Sequence, residues 1–261
     1  MITTETQTAT VRLGEAEVPR IGLGSNRLTH TPEHLAFIRE AVGAGIRHID
    51  TAHLYTKGES ESTLGEALAS GSSGAVVATK GGYHPGEARP DILTAQVDES
   101  LRQLRTDSIE LYYLHRVSPG IPIEDSVGAL KACRDAGKIR HIGISEVGID
   151  EIERARAVVP IAAVQNHYNF EERRHEAVVD YCTQEGIVFV PFFPLRGRAP
   201  AALERIARER GATPTQVALA WLLRRSPLML PIPGTLSLDH VRENLASLQI
   251  ALSDEEFAAL R

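Results

Sequence analysis

The sequence predicts a single (β/α)8 barrel, of the TIM type, preceded by a β-hairpin. Three observations point there. Eight short apolar or β-branched runs alternate with helical stretches of roughly ten to sixteen residues. Their repeat averages about 30 residues, the length of one βα unit. No Ser/Gly-rich linker, low-complexity block or charge run divides the 261 residues, so 1–261 reads as one domain, with residues 1–9 as a loose N-terminal tail. Counting alone also allows a doubly wound sheet; a closed barrel is the simplest arrangement of eight such units.

Taken in order, the segment VRLGEAEVPRIGLG sets Gly14 between two short alternating runs, which suggests a hairpin plugging the barrel floor. The strand candidates are Ile21 to Leu23, Arg47 to Ile49, Ala75 to Thr79, Ile109 to Leu114, His141 to Ile144, Ile161 to Val164, Ile187 to Pro191 and Leu228 to Leu230. Helix punctuation falls between them. Thr31 and Pro32 read as a cap with proline in the first turn, and Gly43 and Gly45 stop that helix before Arg47. Pro90 and Asp91 open a helix with Ile92, Val97, Leu101 and Leu104 near one face, and Thr213 and Pro214 open another through Val217, Leu219, Trp221 and Leu222. Gly22-x-Gly24 is a fragment of a dinucleotide fingerprint, with Asn26 and Arg27 where a third glycine should follow, and reads as a turn ending the first strand.

Composition narrows the function classes. With 28 Lys+Arg against 34 Asp+Glu the net charge is −6, and no clustered basic face for nucleic acid is evident. Cys133 and Cys182 show neither CxxC spacing nor a disulfide framework, so each is expected to be a small buried hydrophobe in a reducing compartment. MITTETQTAT lacks the pattern of a signal peptide, and the longest nearly apolar run, Ile187 to Leu195, is about half a membrane span. The expectation is a soluble cytoplasmic protein with a small-molecule ligand and no obligate protein partner.

In a barrel, reactive side chains gather where strands end and βα loops begin. The polar residues there are Asp50, Lys80, His115, Ser145, and the pair Gln165 and Asn166, with Tyr55 five residues beyond Asp50. Singly, each has a structural explanation as cap, solvated charge or satisfied core group. Together, a carboxylate, an ammonium, a phenol and an imidazole on consecutive strands can move a proton near neutral pH. Free tyrosine has a pKa of about 10 and is a reluctant acid unless its phenolate is stabilised. Lys80 could stabilise it, Asp50 would keep Lys80 cationic, and His115 could orient a carbonyl oxygen toward the Tyr55 hydroxyl.

These residues resemble the aldo-keto reductases, with bacterial pyridoxal reductase-like members closest. The matching segments are Asp50-Thr51-Ala52-x-x-Tyr55, Thr79-Lys80, Leu114-His115, His141 to Ser145, Val164-Gln165-Asn166 and PIPGTLSLDHVREN from Pro231 to Asn244, in the family's order over nearly the whole chain. The resemblance implies an enzyme that uses NADP(H), or alternatively NAD(H), to reduce aldehydes or ketones to alcohols, with pyridoxal or another small carbonyl as substrate. It implies Tyr55 as proton donor, Lys80 and Asp50 tuning it, and His115 orienting the carbonyl. For the cofactor it implies Ser145 and Gln165 at the nicotinamide carboxamide, and Phe192 stacking under the ring. Leu195 and Gly197 would lie along the pyrophosphate, and Gly234, Thr235, His240, Glu243 and Asn244 at the adenosine end.

Three departures stand out. Glu146 replaces a common Asn beside the Ser, removing an amide donor. Gly234 and His240 replace Lys and Arg that often pair with the 2′-phosphate, leaving a modest NADP preference. Short loops after the third and fourth strands, and an end soon after the last helix, point to an open, weakly selective site.

Three rival readings remain at this level. His48, Asp50, His53 and His115 could serve a metal-dependent hydrolase, although no HxH or HExxH spacing appears. Lys80 could be the Schiff-base lysine of an aldolase. The barrel could also be a cofactor-binding regulatory or redox-sensing subunit with slow turnover.

Overall fold

The computed structural model describes residues 9–69 and 74–260. Apart from residue 9, the expected N-terminal tail lies outside them. The hairpin is present: β1 (Thr10–Leu13) pairs antiparallel with β2 (Ala16–Pro19). Gly14 turns it at φ 63°, and a Cβ there would stand 2.2 Å from the His141 ring. The turn is therefore pressed against the start of a barrel strand, where only glycine fits. Val11, Leu13 and Val18 bury their side chains among Val76, Ala78, Leu111, Val188 and Val190, which fill the barrel interior. The hairpin thus stoppers one end, and the other end is left for chemistry.

Seven strands form one parallel sheet in chain order: β3 (Leu23–Gly24), β4 (His48–Asp50), β5 (Val76–Gly81), β6 (Ile109–Leu114), β7 (Ile139–Ser145), β8 (Ala163–His167) and β9 (Val188–Phe192). The eighth candidate, Leu228 to Leu230, is found between β9 and β3 but makes no regular ladder. Instead it exchanges Phe189 N–H to Leu228 O and Leu230 N–H to Phe189 O on one side. On the other, Gly22 and Gly24 donate to the carbonyls of Pro231 and Pro233. The cause lies in the sequence: Pro231 and Pro233 have no N–H to give. On its β3 side the barrel therefore closes through a seam of one-way bonds. Gly22 and Gly24 serve this seam rather than a turn, since a Cβ on Gly24 would lie 2.9 Å from the Ile232 carbonyl oxygen.

Arg20, fully buried, pins the same seam from below. Its guanidinium donates to the carbonyls of Met229, Leu223 and Ser226.

Helices cover the sheet: α1 (Pro32–Gly43), α2 (Glu59–Leu68), α3 (Pro90–Leu104), α4 (Ile123–Asp135), α5 (Ile149–Arg156), α6 (Glu176–Glu185), α7 (Ala202–Arg210), α8 (Pro214–Arg225), α9 (Leu238–Ala246) and α10 (Asp254–Ala259). The expected caps hold. Thr31 accepts from the His34 N–H at the start of α1, and Thr213 with Gln216 forms a reciprocal box at the start of α8. Two helices, not one, separate β9 from the closing segment. Cys133 and Cys182 are free and buried in the helix–sheet layer. Among the described residues no helix is long and apolar enough to cross a membrane.

Candidate active site

The parallel register brings the strand ends to one level: Lys80 lies beside Tyr113, Leu114 beside Ile144, and Ser145 beside Gln165. At that level a cleft of about 470 Å³ opens, lined among others by Asp50, Tyr55, His115, Ser145, Gln165, Phe192 and Gly234. Lys80 sits just beneath it, fully buried.

Tyr55 begins a short 3-10 turn, Tyr55–Gly58, in which Thr56 (φ 47°), Lys57 (φ 57°) and Gly58 (φ 90°) are all left-handed. Two non-glycine residues in that region cost about 1 kcal/mol or more each. The surroundings hold them: Thr56 Oγ1 donates to the Leu28 carbonyl at 2.6 Å, and the His53 N–H to the Lys80 carbonyl at 3.0 Å. The result returns the phenol toward the barrel axis.

There it meets Lys80. The ammonium donates to Asp50 Oδ1 and to the Thr51 carbonyl, each at 2.6 Å, and approaches the Tyr55 hydroxyl at 3.5 Å. Asp50 Oδ2 accepts from Gln165 Nε2 at 2.7 Å, so both carboxylate oxygens are engaged. Burial opposes the charge on Lys80, but Asp50 and Tyr55 together outweigh it and hold the lysine pKa above its ordinary value. For Tyr55 the balance goes the other way. Burial raises the phenol above 10.0, and Lys80 only partly draws it back. Lys80 does favour the phenolate, as expected, but desolvation wins over a 3.5 Å ammonium.

His115 is held by its N–H to the Gly81 carbonyl at 2.7 Å and stands edge-on to Tyr55, with ring centroids 6.1 Å apart. Burial, then the charges of Lys80 and Arg116, push its pKa down to about 2. It is a neutral imidazole, and its buried Nδ1 has no partner among the described residues.

Phe192 offers a half-buried ring whose other neighbour is His167, stacked at 5.2 Å and 13°. Glu146 is left-handed at φ 57°, a conformation in which asparagine is more at ease. Its carboxylate accepts from the His167 N–H and from Arg174, each at 2.6 Å. It supports the Phe192 platform through His167 and gives the cleft no donor. Asn166 closes the turn after β7, with its side chain bonded both ways to the Val147 backbone.

Leu195, Gly197, Thr235, His240, Glu243 and Asn244 do not line the cleft. They lie in the loop after β9 and in the stretch from the closing segment into α9. Gly197 (φ 94°) packs on Glu171, Thr235 Oγ1 contacts His240 Nδ1 at 3.2 Å, and Glu243 takes a bond from Thr213. Sequence reasoning passed over Tyr83, Arg27, Arg116 and Arg196, which do line it. Arg116 had the plainest signal, as the residue directly after His115.

Among the described residues no group of three or more His, Cys, Asp or Glu is placed to hold a metal ion. His48 stands in the barrel interior with both ring nitrogens unpartnered among the described residues, and burial pushes it down to about 4.

The family profile of the aldo/keto reductases matches residues 20–261. The chain belongs to the aldo/keto reductase family. Among curated relatives, an uncharacterized oxidoreductase of Schizosaccharomyces pombe is 38% identical, over 97% of this chain and 89% of its own length. The pyridoxine 4-dehydrogenase of Escherichia coli is 36% identical, over 96% of both chains. An aldo/keto reductase from Klebsiella pneumoniae, solved with NADP and acetate, superposes with a TM-score of 0.88 at 30% identity, covering 97% of this chain and 94% of that one. This reductase is thus an oxidoreductase of the barrel type.

The buried neutral His48 makes its stability pH-dependent. The unfolded chain takes the proton near the ordinary value of 6.5 and the folded chain only near 4, so stability present above the first is lost as pH falls toward the second, by about 3 kcal/mol. Replacing His48→Leu should flatten that loss, as read from thermal midpoints between neutral pH and pH ~4; an unchanged slope would refute it.

Proposed function

We propose that this reductase converts an aldehyde or ketone to the alcohol with a nicotinamide nucleotide, NADP(H) ahead of NAD(H), and that Tyr55 gives the proton to the carbonyl oxygen. The observation that carries the reading is the contact chain Asp50–Lys80–Tyr55, ending in a cleft beside a neutral His115. The residues present suit the nucleotide. Phe192 presents a flat ring, Gly24 and Gly234 line the cleft without side chains, and Arg27 and Arg196 face it without carboxylate partners among the described residues. The Klebsiella structure's NADP supports the same choice.

When bound, the nucleotide would supply the hydride for the carbonyl carbon. Ser145 and Gln165 fix its amide, although Gln165 Nε2 is already committed to Asp50, which leaves its oxygen to accept. His115 donates one hydrogen bond to the substrate oxygen and, being neutral, leaves it basic enough to take a proton. Tyr55 delivers that proton, and the phenolate left behind is stabilised by Lys80, whose charge Asp50 secures. A Schiff-base role for Lys80 fits poorly, since such a lysine needs a lowered pKa and this one is raised. Pyridoxal or another small planar carbonyl is the proposed substrate, supported by the relative from Escherichia coli.

Tyr55→Phe should lower kcat/KM for carbonyl reduction by roughly a hundredfold or more with little change in nucleotide affinity. Lys80→Met should do comparable damage; full activity in either variant removes the assignment. Because Tyr55 is raised and His115 lowered, reduction by the wild type should stay level from mildly acidic pH up to the ordinary tyrosine value of 10.0. An acidic limb that vanishes on replacing His115 would contradict a neutral imidazole. NADPH should exceed NADH in kcat/KM by about tenfold, the worth of one or two charge-assisted bonds at an exposed rim. A measured preference for NADH overturns that choice.

A further inference from the structure

Arg116 is left unexplained by the reduction chemistry. It follows His115 directly and is fixed to the turn just after β5 through its N–H to the Gly82 carbonyl at 3.1 Å. Its Nη1 donates to the His115 carbonyl at 2.8 Å and to Ser145 Oγ at 3.2 Å, while Nε and Nη2 have no partner among the described residues. No carboxylate of the described residues lies within ion-pair distance of it. Among the described residues Asp50 is the only carboxylate lining the cleft, and both its oxygens are taken by Lys80 and Gln165. A half-buried guanidinium has lost hydration without gaining a counter-charge, which leaves it ready for an anion.

Its position separates it from the two other guanidinium groups of the cleft. Arg27 donates to the Gly234 carbonyl at 3.1 Å, and Arg196 stands in the loop after β9 against the Phe193 ring at 4.0 Å. Both lie toward the segments proposed for the nucleotide's phosphates. Arg116 instead stands by the reacting groups. The Tyr83 ring, 40% exposed, is 5.3 Å from it and 4.8 Å from the His115 ring, forming an aromatic wall beside the place of the carbonyl.

We propose that Arg116 selects the substrate, its free Nε and Nη2 edge gripping the carboxylate of a carbonyl compound such as a formyl-aryl acid or a keto acid, with Tyr83 flanking the substrate's planar part. The inference rests on the carbonyl-reducing role given above and names the substrate class for that site. The planar fork of Arg matches two carboxylate oxygens at once, which a lysine would not. It turns a site that looked open and weakly selective into one that discriminates by charge.

The test compares an acid with its neutral ester, using the full chain with NADPH, 3- and 4-carboxybenzaldehyde, and their methyl esters. Taking the acid-to-ester ratio of kcat/KM within each variant cancels losses common to both substrates. The wild type should favour the acid by about tenfold or more for at least one isomer, as a charge-assisted pair requires. Arg116→Met should bring the ratio near one, and Arg116→Lys should retain part of it. A wild-type ratio near one for both isomers, or a ratio unchanged in Arg116→Met, overturns the proposal. The second outcome, with a raised KM for NADPH, would make Arg116 a prop for Ser145 instead. If no aldehyde is reduced, the carbonyl-reducing role itself fails, and calorimetry with isophthalate decides separately: binding that Arg116→Met abolishes supports the carboxylate grip, and no binding to the wild type refutes it. Circular dichroism confirms that each variant is folded.

Discussion

The Asp50–Lys80 pair is the constraint on which the rest of the site depends. An ammonium buried on its own would shed its proton; a carboxylate buried on its own would acquire one. Asp50 keeps Lys80 protonated at 2.6 Å, with the Thr51 carbonyl and the Gln165 amide taking up the pair's remaining bonding capacity. Removing either partner would leave an uncompensated charge inside the barrel. That mutual dependence links strands β4, β5 and β8 through side chains as well as backbone.

Around this pair, burial sets the state of every neighbour. The same water exclusion that keeps His115 neutral also lifts the Tyr55 phenol, so the two groups pointing at the cleft both carry no charge at neutral pH. The positive charge is held one layer below, on Lys80, and to one side, on Arg116. A polar but uncharged reacting surface backed by fixed cations suits a reaction in which negative charge develops on an oxygen and then disappears.

Much of this was legible in the sequence because strand ends are legible. Asp50, Lys80, His115 and Ser145 each close or follow an apolar run, and a barrel topology turns that linear fact into proximity. Phe192 was reached only through the family resemblance. The net direction of the Tyr55 shift was not legible, since it depends on how completely water is excluded from a phenol whose aim is set by two left-handed residues, Thr56 and Lys57. The role of Glu146 was half legible: the loss of an amide donor could be read from its identity, its grip on the His167 N–H could not. Nor could the eighth strand be read as irregular, although Pro231 and Pro233 held the reason in plain view. Arg116 was overlooked because an arginine in a loop is ordinarily solvated and paired, and only the arrangement around it reveals that this one has no counter-charge.

The proline seam has a further consequence, for how the chain reaches its fold. Seven strands can zip up in order as they emerge, each beside its predecessor. The last joint cannot: it bonds Gly22 to Pro231, and Arg20 to Met229, across about two hundred residues. Until that late segment arrives, β3 and β9 stand as the open edges of a curved parallel sheet, the kind of surface that pairs with other chains. Acceptor-only prolines then suit the closing piece. Having few N–H groups to offer, it is a poor template for a stray strand, yet its carbonyls fit the two glycines waiting for them. The feature that makes the seam thin in the finished barrel thus also guards the unfinished one against joining the wrong partner.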